Sequence, residues 1–162
     1  MTSPSGLDLP VADRPAEGRF DGGVHHFPLR VYFEDTDLSG VVYHANYLRY
    51  MERARSDMLR IAGIDQRAFF EGGGGAYAVA DVQLRFRSPA RLDDALMVVS
   101  RLERVRAADV LVHQQVRCGT ALLAEARITV ALVSASGRPT RQPPHWIAIY
   151  QGLVGQGELQ RP

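Results

Sequence analysis

The chain has 162 residues, a mass of 17.9 kDa and 46% apolar residues, which suits one domain with one sizeable core. Its formal net charge is +1, so no strong field favours nucleic acid or a membrane surface. All 19 basic residues are arginine, which excludes a Schiff-base lysine and a P-loop lysine, and Cys118 stands alone, which excludes an internal disulfide and fits a reduced, cytoplasmic setting.

No apolar run has the length that spans a bilayer, and the N-terminus carries no secretory pattern. Residues 1–24 are rich in Pro, Gly, Asp and Ala, lack periodicity, and read as a disordered tail. The domain proper is expected over residues 25–143, starting near His25–Phe27, with a strand at Leu29–Phe33. The acids Glu34, Asp35 and Asp37 end that run. On a strand Glu34 and Asp35 would face opposite sides, so both read as structural or solvent-facing.

From His44 to Ala62 the pattern turns helical. Tyr47, Met51, Ala54, Met58 and Ile61 recur at helical spacing with Leu48 and Leu59 beside them, while Arg49, Arg53, Asp57 and Arg60 fall on the other side. Asn46 suits a place near the N-cap and Gly63 the C′ position. A short amphipathic stretch, Asp65–Phe70, leads to Gly72–Gly75, read as a flexible loop without phosphate-cradle spacing. The period then becomes two, with Val82, Leu84 and Phe86 on one side. Ser88–Arg91 is a turn, and strands follow at Leu96–Glu103, Asp109–Arg117 and Ala121–Val133, the last two joined at Cys118-Gly119. In the last strand Leu122, Ala124, Ala126, Ile128, Val130 and Leu132 share a face. Residues 144–162 are a C-terminal segment in which Trp146–Leu153 reads as a short helix. The order is strand, long helix, then strands joined by short turns, which implies antiparallel neighbours in an α+β domain whose curved sheet wraps one helix.

Acids at a strand end, faced by a helix N-terminus, make a place to hydrolyse a carbonyl. The carboxylate activates water and the helix amides hold the oxyanion. Asp37 suits the role of general base or of nucleophile; the competing reading is an Asx-turn residue capping the loop. His44 stands at the helix entry, either in the site or simply bonded to the loop. Nothing marks Ser39 as a nucleophile, and no histidine pair has metal-ligand spacing.

The block Glu34-Asp-Thr-Asp37, Gly40-Val-Val-Tyr-His44-Ala-Asn46-Tyr and Glu52-Arg-Ala-Arg55 resembles the signature of hotdog-fold acyl-CoA thioesterases of the 4-hydroxybenzoyl-CoA thioesterase type, and within them the Tol–Pal-associated (YbgC-like) branch. Ser88-Pro-Ala-Arg-Leu-Asp-Asp94 matches a second, weaker block, and the resemblance covers roughly residues 27 to 143. It implies a hotdog fold and hydrolysis of acyl-CoA with no cofactor, coenzyme A being part of the substrate. It makes Asp37 and His44 catalytic and puts Tyr43, Asn46, Arg104 and Arg106 at the substrate, the two arginines near the coenzyme A phosphates. A solvated surface position is an equal reading of those two. It further implies a homodimer or homotetramer with sites at the subunit interface. Acyl carrier protein and envelope or lipid-synthesis proteins are the other partners considered. Phe33 departs from the tyrosine of many relatives and cannot donate a hydrogen bond. The alternatives from other classes are a non-catalytic module binding acyl-CoA or acyl carrier protein, and a hotdog dehydratase.

Overall fold

The apolar spacing from Tyr47 onward closes into α1, His44–Ile61, in a computed structural model that describes residues 9–161. The buried face of α1 is Tyr47, Tyr50, Met51, Ala54, Met58 and Leu59. Each of the larger side chains contributes about 1.5–3 kcal/mol by leaving water. Leu48 and Ile61, expected on this face, lie at its margins and are more than a third exposed. Asp57, expected in solvent, is only 1% exposed, because it takes a buried pairing with His25. Gly63 follows the helix at φ +90, a left-handed position that glycine adopts without strain.

Six strands form the sheet around α1: β1 Arg19–Asp21, β2 Val24–Arg30, β3 Ala76–Phe86, β4 Ala95–Val105, β5 Asp109–Cys118 and β6 Ala121–Val133. Their order is β1-β2-β4-β5-β6-β3, and every neighbouring pair is antiparallel. One face packs on α1 through Leu96, Val98, Leu102, Val112, Val116 and Ile128. This is the hotdog arrangement that the resemblance implies. The remaining helices are α2 Gln66–Glu71 and α3 Pro144–Leu153. Asp65 caps α2 through the Ala68 amide, and Pro144 opens α3, where its missing N–H costs nothing.

Several expectations change. The strand expected at Leu29–Phe33 ends at Arg30, and Phe33–Asp35 is a 3-10 turn, because the Asp35 carboxylate captures the Tyr32 amide at 2.8 Å. The facing argument for Glu34 and Asp35 therefore fails: Asp35 is buried and Glu34 exposed. Of the tail expected to be disordered, residues 1–8 lie outside the described residues. Over residues 9–24 the chain forms a 3-10 turn at Val11–Asp13, then β1, then the start of β2. Gly22 and Gly23, at φ +56 and +83, build the β1–β2 hairpin, and the Gly18 amide is anchored on Asp57 at 2.9 Å. The run Gly72–Gly75 is held rather than loose, since three of its amides bond back to Ala68, Phe70 and Phe69. In β6 a register shift opposite Val116 and Arg117 turns Leu123 inward in place of Leu122.

The connection between β3 and β4 is also more than a turn. β3 lies at the far edge beside β6, whereas β4 is central, so residues 87–94 must cross the end of the sheet. That crossing supplies the ledge on which the acidic loop rests.

Candidate active site

The loop from Val31 to Tyr43 is tied at both ends. Val31 exchanges backbone bonds with Asp93 and Asp94 at 3.1 and 3.0 Å. The Val42 amide donates to Ala90 O at 2.8 Å, and the Ala90 amide donates to Tyr47 Oη at 2.9 Å. Asp35 is the inner clamp. Its carbonyl accepts the Tyr43 amide at 2.9 Å and Asn46 Nδ2 at 2.8 Å, while its carboxylate holds Tyr32. Asn46 is buried and committed to this clamp, and its Oδ1 accepts from Arg49. It positions the loop, and it stands three residues after the N-cap, which is Tyr43.

Within the loop, residues 37–41 form a tight turn. The Asp37 amide donates to Val41 O at 2.9 Å and the Gly40 amide to Asp37 O at 3.0 Å, with Gly40 at φ +78. Asp37 Oδ1 accepts the Ser39 amide at 2.8 Å and also the Ser39 hydroxyl. Asp37 does close an Asx-type turn, yet its carboxylate remains exposed. The Ser39 hydroxyl, then the Ser39 amide, and more weakly the Val41 amide and nearby His44, hold the carboxyl below its ordinary range. It is therefore ionised at neutral pH.

Facing this turn is the start of α1. The Tyr43 amide is spent on Asp35 and the Asn46 amide on Tyr43 O. Among the described residues the amides of His44 and Ala45 have no acceptor. No acid stands in the first turn and no side chain caps it, so the positive end of α1 is open to an incoming oxyanion. The His44 ring is exposed, with the Tyr43 ring at 4.4 Å and the Phe86 ring edge-on at 6.4 Å. A cavity of about 270 Å³ opens there, lined by Val42, His44, Tyr47, Phe86 and the Arg87–Pro89 segment. Asp37 is not part of that lining.

Asp37, Tyr43 and His44 thus come together, with Tyr43 about half exposed. Arg104 and Arg106 do not join them. Arg104 is on β4, paired with Asp109 at 3.3 Å, and Arg106 follows the strand, its amide on Asp109 O. The acidic loop sits at the other end of β4, and the strand between spans about 30 Å at roughly 3.3 Å per residue. Phe33 is 80% exposed in its 3-10 turn. The sequence reading left Asp35 between a structural and a solvent-facing role, and it missed Ser39 and Tyr47 as site-building residues. For Ser39 a signal existed, an Asp two residues before a Ser; Tyr47 was hidden among the core positions of the helix.

These features define a thioesterase-like protein. Residues 31–149 match the thioesterase-like superfamily, and the chain belongs to that family. It is 41% identical over 107 residues to the acyl-CoA thioesterase YbgC of Haemophilus influenzae, covering 66% of this chain and 79% of that one. It is 40% identical over 83 residues to a 1,4-dihydroxy-2-naphthoyl-CoA hydrolase of Thermosynechococcus vestitus, covering 48% of this chain and 57% of that one. The fold superposes on a probable thioesterase from Bartonella henselae with a TM-score of 0.70 at 36% identity, covering 74% of this chain and 99% of that chain.

Proposed function

We propose that this protein is an acyl-CoA thioesterase in which Asp37 activates water against the thioester carbonyl. The observation that carries this reading is an ionised, exposed carboxylate on a tight turn beside two unbonded helix amides. Water loses a proton to Asp37 as its oxygen bonds to the carbonyl carbon. The oxyanion forms on the His44 and Ala45 amides. The carbon–sulfur bond then breaks, coenzyme A departs as thiolate and takes up a proton, and the acyl group leaves as the free acid. The chemistry asks for no cofactor. His44 orients the carbonyl or the water, and the aromatic wall of Tyr47 and Phe86 receives the start of the acyl group.

Thiol release from a panel of aliphatic and aromatic acyl-CoA thioesters tests the reading. Asp37→Asn keeps the shape and removes the base, so turnover falls about a hundred- to ten-thousand-fold while KM changes less. A folded Asp37→Asn protein with wild-type turnover removes Asp37 from the mechanism. Single turnover in ¹⁸O-water separates the base from the nucleophile, because only an acyl-enzyme on Asp37 leaves label in the carboxylate. No thiol release from any substrate would favour the non-catalytic binding module.

We further propose that two chains pair through β3. It is the long edge of the sheet, exposed along nearly its whole length, and Val79, Val82 and Phe86 on it are all more than a third exposed. Leu38 and Tyr43 of the site are exposed as well. Pairing would cover the edge and wall the shallow cavity. Among the described residues no helix is long and apolar enough to cross a membrane, and we assign the enzyme to the cytoplasm.

A further inference from the structure

A second, more spacious cavity lies away from this site. It measures about 920 Å³ and follows the sheet face turned from α1, then rounds the edge of β2. It exists because β1 pairs only with Val24–His26, which leaves Pro28–Arg30 as an uncovered edge. The register places His26 and Pro28 beside Val99 and Met97, and these beside Gln115 and Arg117. All six share one face, alternating with Val98 and Val116 of the core. The C-terminal strap, residues 154–161, folds over part of this face. The Gly155 amide donates to Leu102 O at 3.1 Å, Gly157 presses on Val24, and Gln160 O lies on Arg117.

Arg117 is the unusual group. It is only 5% exposed, yet its donors meet neutral acceptors alone: Gln115 Oε1 at 2.9 Å, Thr120 O at 3.1 Å, Gln160 O at 2.7 Å and Arg161 O at 3.3 Å. Among the described residues no carboxylate pairs with it, and burying a charge without its counter-charge is costly. His26 lines the same cavity, and its Nδ1 is buried with no partner among the described residues. Over the whole lining, Arg30, Arg53 and Arg117 face Asp21 and Glu158, an excess of one positive charge. Pro28, Met97 and Val99 give the cavity an apolar floor. One unbalanced cation over an apolar floor fits a monoanion with an apolar tail. The two lining carboxylates disfavour a multiply charged phosphate ester.

We propose that this cavity binds a free fatty carboxylate. The carboxylate replaces the Gln160 and Arg161 carbonyls on Arg117, exchanging neutral acceptors for the counter-charge that the buried guanidinium lacks among the described residues. The tail lies along Pro28, Met97 and Val99, and the strap lifts to admit it. The strap lies beyond residues 31–149, the part that matches the family, whereas Arg117, Met97 and Val99 lie within it. The proposal stands on this cavity and does not depend on the catalytic reading.

The test is calorimetric titration of the full chain with decanoate, with decanol and decylamine as neutral and cationic controls, alongside hydrogen exchange of residues 155–161. Decanoate alone binds, and exchange in the strap rises when it does. Arg117→Gln weakens binding about tenfold or more. Gly157→Ala does the opposite. At φ +68 its added Cβ would stand 2.5 Å from Val24 Cγ2, so the strap loosens and affinity rises several-fold. If Arg117 merely anchors the strap, both substitutions loosen it and neither lowers affinity. That result overturns the site, as does an absence of saturable decanoate binding below about 1 mM or strap exchange that decanoate leaves unchanged.

Discussion

Tyr47→Phe isolates one atom of the scaffold beneath the site. Tyr47 is 3% exposed and Ala90 0%, and the phenol oxygen accepts the Ala90 amide at 2.9 Å. The Ala90 carbonyl in turn receives the Val42 amide, so one residue joins α1, the β3–β4 crossing and the acidic loop. Phenylalanine fills the same space and keeps the ring contacts with Tyr50 and Phe86. What is lost is the acceptor of a buried N–H, worth about 1–3 kcal/mol. Taking about 2 kcal/mol, with a shift of roughly 2–4 °C per kcal/mol for a domain of this size, the melting temperature falls about 4–8 °C. The hydroxyl is spent on the backbone, away from the reacting carbonyl, so kcat/KM at 25 °C falls less than about fivefold, an effect of positioning alone. Calorimetry and thiol release on the same preparation measure both. A melting temperature within about 1 °C of wild type refutes the reasoning, since it means that Ala90 finds another acceptor at no cost.

Ser39→Ala removes the leading cause of the lowered Asp37 pKa. In the wild type, kcat/KM therefore stays high as pH falls through the ordinary carboxylate range and is lost only below it; in Ser39→Ala the acid limb moves to higher pH. Coincident limbs would disconnect Ser39 from the base. His25 is fully buried, and burial outweighs its bond to Asp57 to hold its pKa below 6.5. The unfolded chain then takes up this proton first, so the contribution of His25 is present above pH 6.5 and declines as pH drops below it. Urea midpoints between pH 7 and 5 follow that decline, and His25→Gln flattens it. Dilution toward nanomolar concentration lowers specific activity together with the dimer fraction; light scattering that finds a fully active monomer refutes the shared site.

Which of these features could be read from the residues depends on the range of the forces behind them. The span of α1 was legible because Tyr47, Met51, Ala54 and Met58 repeat a local period, and β6 because its alternation is long. The block from Glu34 to Tyr47 likewise carried the family. Partners distant in sequence were not legible. Asp57 looks like a solvent-facing helical acid until β2 brings His25 against it. The strand reading failed at Val31 because the Asp35 carboxylate competes for the Tyr32 amide, which alternation of side chains cannot register. The glycines before β2 resemble a disordered composition, and only the pairing of β1 makes them a hairpin. Arg104 and Arg106 were placed at the substrate by resemblance alone, and within one chain they stand at the end of β4 remote from the acidic loop.

The exposure of Asp37 has a consequence for how assembly and catalysis connect. A carboxylate in open water with Ser39 donating to it is ionised at neutral pH, but those same donors make it a weak base. Rate requires the opposite balance when substrate is bound: fewer competing donors and less water. Leu38, beside Asp37, is fully exposed at 106%, and Phe33 is 80% exposed, a poor arrangement for an isolated subunit and a natural one for a surface that another chain covers. On the proposed pairing, burial of this turn removes water from around Asp37 and strengthens the pull of the His44 and Ala45 amides on the oxyanion. The dimer then does more than complete a wall. Leu38→Asp, which leaves every hydrogen bond of the turn in place, weakens pairing and lowers kcat together, and a variant that stays fully active as a monomer breaks that link.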